Sequence, residues 1–180
     1  MSIRNGMIFL VFFYGAAWCG DTAGQVSAPA QATTEFATAK AGKFVFLYRV
    51  DGPNLVAKIS YPTTGWVGVG FNPVKMMLGA NFILGTIVNG KPAISDEFGD
   101  SKYSHVPDST QGGKNDIVNS DVVMDKGVMT MSFTIPLSSG DVKDVVLEKG
   151  KKITVLFAAG KKPDLKKQHN TIEKTTITLQ

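Results

Sequence analysis

The sequence predicts an all-β sandwich around one core, and three observations carry that expectation. The chain's 180 residues are 43% apolar and 19% charged, enough to bury a single core. Its 19 Gly and 8 Pro, with many Val, Ile, Thr and Phe, favour short strands and turns over long helices. The apolar residues recur in short runs separated by turn chemistry, the pattern of a sandwich.

Taken in order, residues 1–28 read as a secretory signal. Arg4 precedes the apolar stretch from Met7 to Tyr14, and the small residues Gly15, Ala16 and Ala17 follow, giving n-, h- and c-regions. The apolar run is roughly thirteen residues, short of the roughly eighteen a bilayer span requires. Cleavage is expected between Ala17 and Ala28. Cys19, the one cysteine, either leaves with the signal or is a lipidated anchor that associates the protein with a membrane; Trp18 in front of it argues for the first. Residues 29–41, rich in Ala, Thr, Gln and Ser, read as a flexible lead-in, and the folded domain is expected over 42–180.

Strands are expected at 44–50, 54–61, 65–71, 82–88 and 91–95, then at 117–124, 127–135, 152–159 and 172–179. Between them lie Asp51-Gly52-Pro53, Thr63-Thr64-Gly65, Asn89-Gly90, Asp125-Lys126-Gly127 and Ser139-Gly140, all turn formers. Asn89-Gly90 and Lys126-Gly127 predict hairpins. From Val128 to Ile135, Met129, Met131, Phe133 and Ile135 alternate with Val128, Thr130, Ser132 and Thr134. Such alternation gives one core face and one outer face.

Composition excludes several chemistries. One cysteine and two histidines, His105 and His169, leave no cysteine-ligated zinc, no iron–sulfur cluster and no intrachain disulfide. No CxxCH attaches haem covalently. Net charge is +4 with only two arginines, Arg4 and Arg49, which argues against nucleic acid. No GxSxG elbow marks a hydrolase, and His105 lies in a polar loop without the HxxxH spacing of a helical metal site. Six carboxylates between Asp96 and Asp121 meet only Lys102 and Lys114. Lacking DxDxDG spacing, that stretch reads as a solvated acidic loop in preference to a calcium site. Nine lysines between Val142 and Gln180 make the opposite end basic.

The remaining signal pairs methionine with histidine. Met76 and Met77 follow the strand ending at Phe71, and His169 precedes the last strand. Read alone, the methionines are core filler and His169 is a surface residue.

The stretch Gly65-Trp66-Val67-Gly68-Val69-Gly70-Phe71, then Met77-Leu78-Gly79-Ala80-Asn81 and Phe82-Ile83-Leu84-Gly85, resembles the core motif of DOMON domains. So do Asp96-Glu97-Phe98-Gly99, Pro107-Asp108 and the late histidine. The resemblance spans roughly 35–180 and is similar in plan to the haem b cytochrome domain of cellobiose dehydrogenase. It implies an immunoglobulin-like antiparallel β-sandwich holding one non-covalent haem b between a methionine and a histidine from loops at one end. Carried over, these ligands to the metal are Met77 and His169, with Met76 the fallback for the first and His105 the alternative histidine. Thioether and imidazole saturate iron's axial positions, which suits electron transfer and not catalysis. Lys75, Arg49 and the lysines of 161–167 are candidate neighbours for the propionates. The implied partner is a separate redox protein, a dehydrogenase or a membrane cytochrome, met in the periplasm or outside the cell. The alternative is a haem-free module binding a carbohydrate or other small ligand. Trp66 does not separate the two, since tryptophan on a central strand is more often core.

Overall fold

The computed structural model describes residues 35–180 and is almost entirely β. The signal sequence, Cys19 and the first part of the lead-in lie outside the described residues. The strands are β1 (Ala37–Ala41), β2 (Phe44–Asp51), β3 (Asn54–Tyr61), β4 (Trp66–Phe71), β5 (Asn81–Val88) and β6 (Lys91–Phe98). After β7 (Val106–Pro107) and a turn of 3-10 helix (Asp108–Gln111) come β8 (Asn119–Asp125), β9 (Val128–Pro136), β10 (Lys152–Gly160) and β11 (Thr171–Thr178).

They form two antiparallel sheets, β1-β2-β3-β9-β8 and β11-β10-β4-β5-β6-β7. Every expected strand is present, as β2 to β6 and β8 to β11. The end of the lead-in is corrected: Ala37–Ala41 is strand β1, paired with Phe44–Tyr48 of β2. Alternation of small Ala37, Ala39 and Ala41 against the core gives that segment a packed face despite its low hydropathy. Strand β7 is two residues long, too short to show a period.

Both predicted hairpins form for the expected reason. Asn89 and Gly90 have φ of 52° and 75°, and Lys126 and Gly127 of 48° and 80°, the left-handed pair whose twist matches the flanking strands. Between the sheets lies an aromatic core. Phe44 stacks on Tyr61 and Phe157 at 4.2 and 5.5 Å, and Phe46 packs against Tyr48, Phe71 and Phe157. Met129, Met131, Phe133 and Ile135 of β9 point inward as the alternation predicts. At the β11 edge, Tyr48 and Tyr61 reach across with their hydroxyls to Thr178 O and Thr171 Oγ1.

Candidate functional site

The six-stranded sheet has two unlike faces. Val67, Val69 and Phe71 of β4 point into the core, while Trp66 belongs to a second, outer apolar cluster with Ala80, Phe82 and Leu84. Period-2 geometry places Gly68 and Gly70 on that outer face with Trp66. Register aligns Gly70 with Leu156 of β10 and Phe82 of β5, and Gly68 with Ala158 and Leu84. The two glycines therefore form a flat floor between larger neighbours. A Cβ on Gly70 would lie 2.3 Å from the Phe82 ring, so only glycine admits that packing. Above the floor opens a cavity of about 480 Å³ lined by Met76, Met77, Tyr103, His105 and His169, within the size range of cofactor sites.

Three loops wall it. Residues 72–80 fold back on themselves: Leu78 N–H donates to Lys75 O at 3.1 Å, and Val74 N–H to Leu78 O at 2.8 Å. Met76, at φ 55°, takes the left-handed conformation that an L side chain adopts at a cost. Its side chain is 52% exposed, whereas Met77 turns in and packs on the outer cluster. Gly79 N–H donates to Gly99 O at 2.8 Å, and Gly99 N–H to Ala80 O at 2.9 Å. A Cβ on Gly99 would stand 1.8 Å from Met77 O. Gly99, in the motif Asp96-Glu97-Phe98-Gly99, is thus the seat of the methionine turn.

Residues 161–170 carry His169. The Trp66 indole Nε1 donates to Lys167 O at 3.1 Å, and Asn170 ties both ends, donating from N–H to Ala159 O and accepting from Lys161 N–H. Leu165 packs on the outer cluster. Buried Trp66 is therefore both floor and anchor.

Because β4 and β10 are antiparallel, the loops that follow them leave opposite ends of the sheet. Met77 stands beyond Phe71 and His169 beyond Gly160, which pairs with Trp66 at the other end of β4. This corrects the expectation that both come from one end: they flank the cavity from two sides. His105 enters on the methionine side from residues 99–105, with its ring 5.2 Å from that of Phe82. Its Nδ1 is bonded to Glu97 Oε2, which leaves Nε2 as the unengaged ring nitrogen. Glu97 pairs with Phe82 in register and so shares the outer face.

The candidate cations divide. Arg49 lies in the other sheet, bonded to Asp51 at 2.9 Å with its guanidinium over Phe36, and it lines no part of the cavity. Neither Lys75 nor the lysines of 161–167 line it; Lys102 and Lys174 do. Sequence reading missed both. Lys174 was discoverable in principle, because it alternates with Ile172 on β11 and faces Leu156 in register. Burial, and then the charge of His105, hold the His169 imidazole below its ordinary pKa of 6.5. Its neutral form, the one that ligates metals, is favoured.

The acidic stretch is not the solvated loop expected of it. Asp96 and Asp108 are buried, Asp96 because β6 turns it inward when it turns Glu97 outward, and Asp108 at the start of the 3-10 turn.

Residues 40–160 match the DOMON domain family. The chain belongs to that family. This DOMON domain is similar to the cytochrome domain of Myriococcum thermophilum cellobiose dehydrogenase, with a TM-score of 0.59 at 11% identity over 81% of this chain and 83% of that one. It is also similar to the cytochrome b domain of pyranose dehydrogenase from Coprinopsis cinerea, with a TM-score of 0.56 at 9% identity over 74% and 75% of the two chains. At these identities the likeness is one of fold. The DBH-like monooxygenase protein 1 of Mus musculus is 27% identical over 104 residues, 57% of this chain and 16% of that protein. The DOMON domain thus spans a small part of the curated relative it matches.

Proposed function

We propose that this DOMON domain is an exported b-type cytochrome domain that binds one haem non-covalently through Met77 and His169 and has no catalytic site of its own. It exchanges electrons with a separate dehydrogenase or membrane cytochrome in the periplasm or outside the cell. The observation that carries this reading is the pair's placement: a half-buried thioether and a half-buried imidazole line one apolar cavity from opposite ends of a sheet. The floor fits a flat macrocycle, since Gly68 and Gly70 leave a slot that side chains at those positions would fill.

Haem, if held by Met77 and His169, would supply one-electron chemistry. The chain's own residues do the rest. Phe82, Leu84 and Leu156 exclude water from the floor, and Trp66 holds the His169 loop through Lys167 O. Lys102 and Lys174 offer cationic donors to carboxylates at the rim. Met77 is the better-placed thioether, because the Met76 side chain is the more exposed. His105 is occupied at Nδ1 by Glu97 and acts as a cavity wall. The two solved relatives are cytochrome domains of dehydrogenases, which supports a redox partner of that kind.

The test is a visible spectrum of the protein exported with its signal in a haem-replete host, oxidised and then dithionite-reduced. Sharp reduced α and β bands are expected, lost in Met77→Ala and in His169→Ala and kept in His105→Ala. A colourless, folded protein that takes up no added haem overturns the reading and favours the haem-free ligand-binding module.

A further inference from the structure

Behind the methionine turn, on the core-facing side of the same sheet, lies a second group of ligating atoms. Asp96 from β6, Asp108 from the 3-10 turn and Asp144 from the segment between β9 and β10 bring one carboxylate oxygen each within 4.8 Å of one another. The ion pairs among the described residues, Arg49–Asp51 and His105–Glu97, do not touch them. Lys143, the neighbour of Asp144, is instead engaged over the Phe98 ring at 4.8 Å.

An acidic cluster alone proves nothing, but here Asp96 and Asp108 are buried and have oxygens without partners. Asn81, at the start of β5 and 5% exposed, donates from Nδ2 to Asp144 Oδ1 at 2.6 Å while its Oδ1 has no partner. Asp108 is 1% exposed, and neither of its carboxylate oxygens has a hydrogen-bond donor; Asp96 Oδ1 has none either. Buried polar atoms are almost always satisfied, and buried like charges without a cation are costly. One ion where the three carboxylates converge would neutralise them together.

We infer that Asp96, Asp108 and Asp144, the last held by the Asn81 amide, form a structural site for a hard divalent cation, calcium in preference to magnesium. The three carboxylate oxygens, within 4.8 Å of one another, fit the roughly 4.6–5.2 Å diameter of a calcium coordination sphere. They also come from three separate chain segments, an irregular set that calcium's flexible geometry accepts more readily than magnesium's octahedron. The ion cross-links β6, the 3-10 turn and the 141–147 segment, to which Asn81 ties β5. Through Asn81 and through Gly99, three residues beyond Asp96, it braces both attachments of the turn that carries Met77. The site does not depend on haem.

The full chain, dialysed against a chelator, is melted with chelator, with calcium and with magnesium, and bound metal is counted by equilibrium dialysis. One calcium per chain and a melting temperature raised by several degrees at about 1 mM calcium are expected, the range of extracellular calcium modules. Asp108→Asn removes one charge of the cluster. It is expected to melt above chelated wild type and to show no response to calcium. Should that variant not fold, Asp144→Asn serves, and the stoichiometry on wild type decides by itself. A chelated wild type whose melting is unmoved by calcium, or which binds none stoichiometrically, overturns the inference. Haem content is read from the spectrum in every sample, so failure of this site is distinguishable from failure of the cytochrome reading.

Discussion

At the scale of single residues, the site depends on where side chains are absent as much as on where they are present. Gly99 lets the backbone just beyond β6 approach Met77 O more closely than any Cβ permits. Gly99→Ala must therefore push the methionine turn off its seat. We expect a stability loss of about 3 kcal/mol, the upper end for overpacking, and a weakened or lost reduced α band. Urea denaturation and the spectrum measure the two effects. Met76 offers the converse case, because its φ of 55° is natural for glycine and strained for methionine. Met76→Gly should raise stability by up to about 1 kcal/mol and leave the spectrum intact. A variant that melts higher but loses its bands would move the ligand from Met77 to Met76.

At the scale of elements, legibility followed periodicity. Strands β2 to β6 and β8 to β11 announced themselves as short β-rich runs bounded by turn formers, and the left-handed pairs Asn89-Gly90 and Lys126-Gly127 marked two hairpins. Strand β1 did not, since its inward residues are alanines, which carry little hydrophobic signal. In β9 the alternation makes a sharp prediction. Met131→Ala, at a fully buried position against Gly85, should cost about 2–5 kcal/mol, whereas Ser132→Ala one residue away should stay within about 0.5 kcal/mol. Equal costs in chemical denaturation would mean the register is wrong. The family motif pointed to Met77 and His169, and both line the cavity. That they approach from opposite sides was not, because it follows from the antiparallel pairing of β4 with β10, a contact between residues some ninety positions apart.

At the scale of the whole molecule, one sheet separates two sites and one strand serves both. Glu97 of β6 faces outward and holds His105 at the cavity, while Asp96 beside it faces inward to the carboxylate group. Without a cation that inner group makes folding depend on pH in an unusual direction. Burial, and then repulsion from neighbouring carboxylates, pushes Asp96 and Asp108 from 3.8 up to about 7. Asp144, Asp108 and Asp116 repel Asp96, and Asp144, Asp141, Asp116 and Glu97 repel Asp108, while the backbone N–H of Asp116 opposes the shift at Asp96. Asp144 is raised as well, again mainly by burial. A carboxyl whose pKa is higher folded than unfolded binds protons more tightly in the native state, so stability falls as pH rises between the two values. The metal-free protein should accordingly be most stable near pH 4 from this group and lose that contribution as pH rises through about 7. Most proteins that rely on paired carboxylates show the opposite trend over this range. Calcium competes with those protons, so its stabilising effect should be weak at pH 5 and strong at pH 8. Melting curves of chelated and calcium-loaded protein across that range should therefore diverge with rising pH. A chelated protein whose stability does not fall between pH 4 and 7 would show that Asp96 and Asp108 keep ordinary carboxylate behaviour inside the fold.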